Sequence, residues 1–202
     1  MNRTAVRIGA AAFGVMMFTG LAATAATADT EHGTDDVNVT VDIAPVRVPG
    51  VLAMSVSAAT APLTENGSDN TARVFTGALP TVTVTDTREP DEIATGAAWY
   101  VLGSASDFTS AAGDTIGAED LGWAPQLIDG GDSGLVAEGD AVAPELDGGP
   151  GLVDQELLAM AADSGEIASE GSWTAGANLT LKTDPDVEAG AYHATLTLSL
   201  FE

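Results

Sequence analysis

From Tyr192 to Leu200 the chain alternates without a break, placing Tyr192, Ala194, Leu196, Leu198 and Leu200 on one face and polar or small residues on the other. A period of two is the mark of a half-buried β-strand. The same pattern recurs along the chain. Val37, Val39, Val41 and Ile43 share a face, with Asn38, Thr40 and Asp42 opposite. Val82 and Val84 point inward among threonines in Thr81–Asp86, and Asn178–Lys182 alternates again. Further strands are expected at Val51–Ser57, Arg73–Phe75, Ala97–Gly103 and an interrupted stretch over Leu121–Ile128. Pro45, Pro49-Gly50, the polar run Thr64–Asn70, the loop Arg88–Gly96 and Asp184-Pro185 punctuate them. The sequence therefore predicts an all-β fold, an antiparallel β-sandwich or barrel with long Gly/Asp-rich loops. Leu152–Ala162 is the best candidate for one short helix, and equally for another strand and loop.

The N-terminus has a separate character. Arg3 and Arg7 precede the uncharged apolar run Ile8–Leu21, and the small residues Ala22–Ala28 end in Ala26-Thr27-Ala28. That layout is a secretory signal peptide, with an uncleaved anchor as the competing reading. The apolar run is short for a bilayer span, which needs roughly 20 residues. The expected organisation is a signal peptide over 1–28, a flexible acidic leader over 29–36 and a single β domain over 37–202. The protein is expected to be secreted, extracellular or cell-wall associated, with no transmembrane span in the mature chain.

Hydrophobic residues make up 45% of the chain, enough for a core, and there is no cysteine, which excludes a disulfide scaffold and thiolate chemistry. Thirty acidic side chains face six basic ones, a net charge of −24, and every acid lies at or after Asp29. Such a charge excludes nucleic acid as a partner. It reads either as a solvated soluble surface or as an acidic face for divalent cations or a basic partner.

Several strands carry a resemblance. Leu79-Pro-Thr-Val-Thr-Val-Thr-Asp-Thr-Arg88, Trp99, Leu121-Gly-Trp-Ala-Pro125, Trp173-Thr-Ala-Gly-Ala-Asn-Leu179 and Gly190-Ala-Tyr-His-Ala-Thr-Leu-Thr-Leu-Ser-Leu200 occur in this order. The set resembles the WxL-type cell-surface domain of Gram-positive bacteria, in the divergent form of secreted actinobacterial proteins, from about residue 37 to the end. The resemblance implies an exported β domain that associates non-covalently with the cell wall or acts in adhesion, is not an enzyme and needs no cofactor. A wall polymer or a surface protein would be its partner. The defining tripeptides depart from the pattern: Trp99-Tyr100-Val101 has Val where Leu is expected, and Leu198-Ser199-Leu200 has Leu where Trp is expected.

Trp99 and Trp173, with Tyr100 beside the first, are the candidate binding surface. Each Trp, and Trp123 with them, offers a face for stacking on sugars or for packing in the core. Asp129, Asp132, Asp140 and Asp147 lie in the glycine-rich stretch 129–151 and suit calcium by ligand type, although their spacing fits no EF-hand loop. A solvated loop is the plainer reading. Asp86 and Arg88 are expected to pair structurally at a strand end, and Leu198 to be an apolar strand residue. No G-x-S-x-G elbow, Walker loop or His-rich motif is present. Two further functional readings stand beside wall association. In one, a freely secreted assembly subunit adds its terminal strand to a partner's sheet edge. In the other, a carboxylate-based hydrolase keeps acids of perturbed titration in a cleft.

Overall fold

The structure, a computed structural model, describes residues 35–202; the signal peptide expected over 1–28 and most of the flexible leader expected over 29–36 lie outside the described residues. The chain divides into two units at Pro45. Residues 35–45, the described part of the first, form no strand, and every one of them is exposed. This corrects the strand expected over Val37–Ile43. Alternation marks a segment able to form a strand, but a strand also needs a neighbour to hydrogen-bond with, and among the described residues none pairs with it.

The second unit, Val46–Glu202, is all-β and antiparallel throughout. Its strands are β1 (Leu52–Val56), β2 (Thr64–Glu65), β3 (Arg73–Ala78), β4 (Val82–Asp86), β5 (Tyr100–Ala105), β6 (Phe108–Ser110) and β7 (Thr115–Ile116). They continue with β8 (Leu121–Asp129), β9 (Val136–Glu138), β10 (Glu156–Ala161), β11 (Ser172–Thr183), β12 (Tyr192–His193) and β13 (Leu196–Phe201). One short helix, α1 (Ser164–Ile167), is capped by Asp163, whose carboxylate accepts from the backbone N–H groups of Gly165 and Glu166.

Strand β11 organises the larger sheet, whose order is β1-β4-β11-β3-β2 with β8 on the other flank of β11. One side of β11 pairs first with β4 and then with β3, so twelve residues serve two partners in turn. Its inward positions, Trp173, Ala175, Ala177, Leu179, Leu181 and Thr183, are all buried. A second sheet, β13-β5-β10-β9, supplies Val101, Leu158 and Ala159 to the same core. A small third sheet runs β12-β6-β7.

Of the two readings of Leu152–Ala162, strand and loop holds rather than helix: Glu156–Ala161 is a strand paired on one side with β5 and on the other with β9. Its Leu, Ala and Met favour helix intrinsically, and burial between two strands overrides them. The alternation from Tyr192 to Leu200 is split as well. Tyr192–His193 pairs with β6 and Leu196–Phe201 with β5, so the chain changes sheet at Ala194-Thr195. Ser106 holds the crossing, its Oγ accepting from Thr195 N at 3.0 Å and its N–H donating to Thr195 O at 2.9 Å. The stretch 129–151 is partly ordered into β9, a turn of 3-10 helix at Glu145–Asp147 and a bridge between Trp123 and Val142.

Candidate functional site: an open apolar groove

Both sheets end in an unfilled place. Among the described residues β1 is hydrogen-bonded to β4 alone and β13 to β5 alone, and each is the last strand of its sheet. Near one end Arg88 holds the sheets together. Its Nε and Nη2 donate to the two oxygens of Asp86 at 2.9 and 2.7 Å, and its Nη1 and Nη2 to those of Glu202 at 2.7 Å each. Burial alone would raise the Asp86 carboxyl, but hydrogen bonds from the Arg88 side chain and backbone N–H outweigh it and hold Asp86 below the ordinary carboxylate range. Hydrogen bonding to Arg88 lowers Glu202 too. The Asp86–Arg88 pair is thus present at the strand end, and Glu202 is a third member that no local motif announces.

Away from this clamp lies a groove of about 1070 Å³. Met54 and Val56 of β1 and Leu196 and Leu198 of β13 line it, whereas Leu52 and Leu200, nearer the clamp, do not. Phe75 and Leu181 of the large sheet are also part of its lining. These side chains come from alternating strands that turn an apolar face into the groove, and Arg73, Glu188 and His193 are polar members of the lining. Leu198, expected only as an apolar strand residue, is therefore a wall of the groove.

The aromatic residues expected to form a surface lie elsewhere. Trp99 and Trp173 are 1% and 2% exposed, so the face they were expected to offer for stacking on sugars is inside the core. Their rings meet at 5.5 Å with planes tilted by 40°, and Trp173 Nε1 donates to Glu170 Oε2 at 2.7 Å. The reason is register: Trp173 falls on an inward position of β11, and Trp99, one residue before β5, keeps the inward phase of Val101. Trp123 is buried as well. Tyr100, 37% exposed, stacks on its cross-strand neighbour Phe201 at 5.4 Å. Only the middle residue of Trp99-Tyr100-Val101 thus reaches the outside.

The acidic candidates do not converge. Asp129 accepts from Gly131 N, Asp147 pairs with Lys182, and Asp132 and Asp140 are exposed on the same stretch. Among the described residues no three His, Cys, Asp or Glu side chains are grouped to hold a metal ion. Sequence reasoning missed a different acid. Burial, with the charges of Glu119, Glu145 and Asp184 added, pushes the Asp120 carboxyl up to about 6. Asp120 is not among the groove's lining residues. Among the described residues no helix is long and apolar enough to cross a membrane.

No family model matches the chain, and no curated protein matches it. A solved structure of a family 123 glycoside hydrolase from Clostridium perfringens, studied for glycolipid glycan hydrolysis, is similar at 14% identity and a TM-score of 0.32. The likeness covers 64% of this chain and 18% of the hydrolase, so the chain spans less than a fifth of that enzyme's length. The expectation of a non-catalytic module for wall association or adhesion is corrected here. The similar structure is an enzyme, and at this distance it assigns neither its activity nor the lack of one to this chain. The accompanying idea that the C-terminal strand adds to a partner's sheet edge is dropped with it, since β13 is a wall of the chain's own groove.

Proposed function

We propose that the groove is a binding site for an elongated apolar ligand. The observation that carries this reading is a groove of about 1070 Å³ whose walls include Met54, Phe75, Leu181, Leu196 and Leu198. Apolar walls with a few polar groups among them are the usual make-up of a small-ligand site, and Arg73, Glu188 and His193 are such groups here. The volume is that of a ligand site, where typical pockets run about 300–1,000 Å³. Secretion belongs to the reading on the strength of the leader pattern alone. N-terminal sequencing of exported protein should begin near Asp29, and a start at Met1 would remove that part.

The test uses Nile red, a neutral apolar dye suited to an anionic protein. The dye should brighten on binding and the titration should saturate. Met54→Lys and Leu196→Asp, both at half-buried groove positions, should weaken dye binding at least tenfold with the β circular dichroism unchanged. A flat dye titration with folded wild-type protein would remove the reading.

A further inference from the structure

We propose that the groove takes a single-chain amphiphile with an ammonium head, its tail on the apolar walls and its head beside Tyr192. The inference rests on the groove reading above and names the chemical class of the ligand.

The sign of the head follows from which charges of the lining are already engaged. Arg73 donates from Nε and Nη2 to the two carboxylate oxygens of Glu65 at 3.0 and 3.1 Å, and its guanidinium carbon lies 5.2 Å from the centre of the Phe75 ring. An anionic head arriving there would meet a neutralised pair and would have to compete with Glu65 for the guanidinium fork. Glu188 is the acid of the lining. It is exposed, and among the described residues it belongs to none of the ion pairs. The charge that the groove still offers a ligand is therefore negative.

Local geometry places that charge around an aromatic ring. Tyr192 is part of the lining, and its hydroxyl donates to Glu188 O at 2.9 Å, which ties the two ends of 188–192 together. The hydroxyl is thus engaged within its own loop, and the ring is the part of the side chain left to meet a ligand. Tyr192 also pairs across the small third sheet with Ser110, whose Oγ donates to Asp114 Oδ2 at 3.0 Å. A Cβ built on Gly190 would lie 3.5 Å from Tyr192 Cε2 and 3.6 Å from Ser110 Cβ, so the loop, β12 and β6 meet at this ring. Both carboxylates act on it: after burial, the charges of Asp114 and Glu188 raise the Tyr192 hydroxyl above its ordinary value. An aromatic face flanked by carboxylates attracts an ammonium group through the ring quadrupole and by direct Coulomb attraction. The net charge of −24 acts in the same direction from afar. At physiological ionic strength the Debye length is about 8 Å, so the carboxylates beside the ring set the preference.

Displacement of Nile red from the full chain by two amphiphiles of equal chain length tests this, each kept below its micelle concentration. The titrations are run at physiological ionic strength and pH 8, where histidine side chains in general carry no charge. Decyltrimethylammonium should displace the dye at a concentration at least tenfold below that required of decanoate. Asp114→Asn/Glu188→Gln should shrink this advantage at least fivefold and leave the affinity for Nile red unchanged, and Glu188→Gln alone, at an exposed position, should remove part of it. Tyr192→Leu should weaken the cation more than decanoate. Asp132→Asn/Asp140→Asn removes two exposed acids outside the lining and should leave the advantage as it is in wild type. Decanoate displacing the dye as well as the cation does would overturn this inference and leave the groove reading intact. An equal loss of the advantage in the Asp132/Asp140 variant would also overturn it, because the preference would then belong to the net charge. Absence of dye binding by folded wild type would remove both readings.

Discussion

Gly103 illustrates how far a single position is constrained. It sits on β5, and a Cβ built there would come 2.7 Å from Trp123 Cη2 and 3.0 Å from Leu198 Cδ2. Two large side chains from both sheets thus close over a residue with none. Gly103→Ala should cost about 1–3 kcal/mol through overpacking, seen as a lowered midpoint in chemical denaturation. Trp123→Phe, which shortens the ring at that contact, should recover part of the loss in the double variant if the clash is the cause. Arg88 is constrained by charge instead. Removing it leaves the Asp86 carboxylate, whose side chain is fully buried, without a counter-charge. Arg88→Met should destabilise by on the order of 3 kcal/mol, the low end for a broken buried pair because Glu202 keeps partial access to water. Arg88→Lys should recover little, since one ammonium cannot reproduce a fork that grips two carboxylates.

Elements are where the sequence was most and least informative. Period-two alternation located β4, the latter half of β11 and β13, because each of these strands presents one apolar face to a core. The same signal at Val37–Ile43 did not produce a strand, since alternation says nothing about whether a neighbour exists. Strand β10 lacks the signal altogether: strands on both sides and burial of Leu158, Ala159 and Ala161 override residues that prefer helix. The groove was unreadable for a related reason. Its walls come from β1, β3, β11 and β13, whose order in space is set by non-local pairing. The aromatic motifs misled because a tryptophan on an alternating strand reads alike whether it points in or out. At this scale Glu170 is informative, since one carboxylate accepts from both Ser133 N and Trp173 Nε1 at 2.7 Å and so ties the loop after β8 to β11. Those bonds hold its carboxyl below the ordinary range. Glu170→Ala should accelerate amide hydrogen exchange around Ser133 while leaving β3 and β4 protected.

For the whole molecule, acidity decides how stability follows pH. Asp86 and Glu202 have folded-state values below their unfolded ones, so their contribution is present above about pH 4 and is lost as pH falls through those lowered values. Asp120 acts in the opposite sense. Its folded value of about 6 lies above the unfolded value of about 3.9, so the folded state binds the extra proton between those limits and stability rises as pH is lowered through that window. General repulsion among thirty acidic groups weakens in the same direction. Thermal midpoints should therefore climb from pH 7 toward pH 5 and fall again below pH 4. Salt separates the two contributions, because it screens the diffuse repulsion of exposed charges far more than it relieves a partly buried carboxyl. In high salt the climb from pH 7 to pH 5 should shrink to the share of Asp120, and Asp120→Asn should then abolish most of what is left. At pH 7 that variant should be more stable than wild type by about 1 kcal/mol after allowance for solvent screening, or roughly 2–4 °C for a domain of this size. An unchanged climb in Asp120→Asn at high salt would place the acid response on other carboxylates and leave Asp120 as an ordinary surface acid.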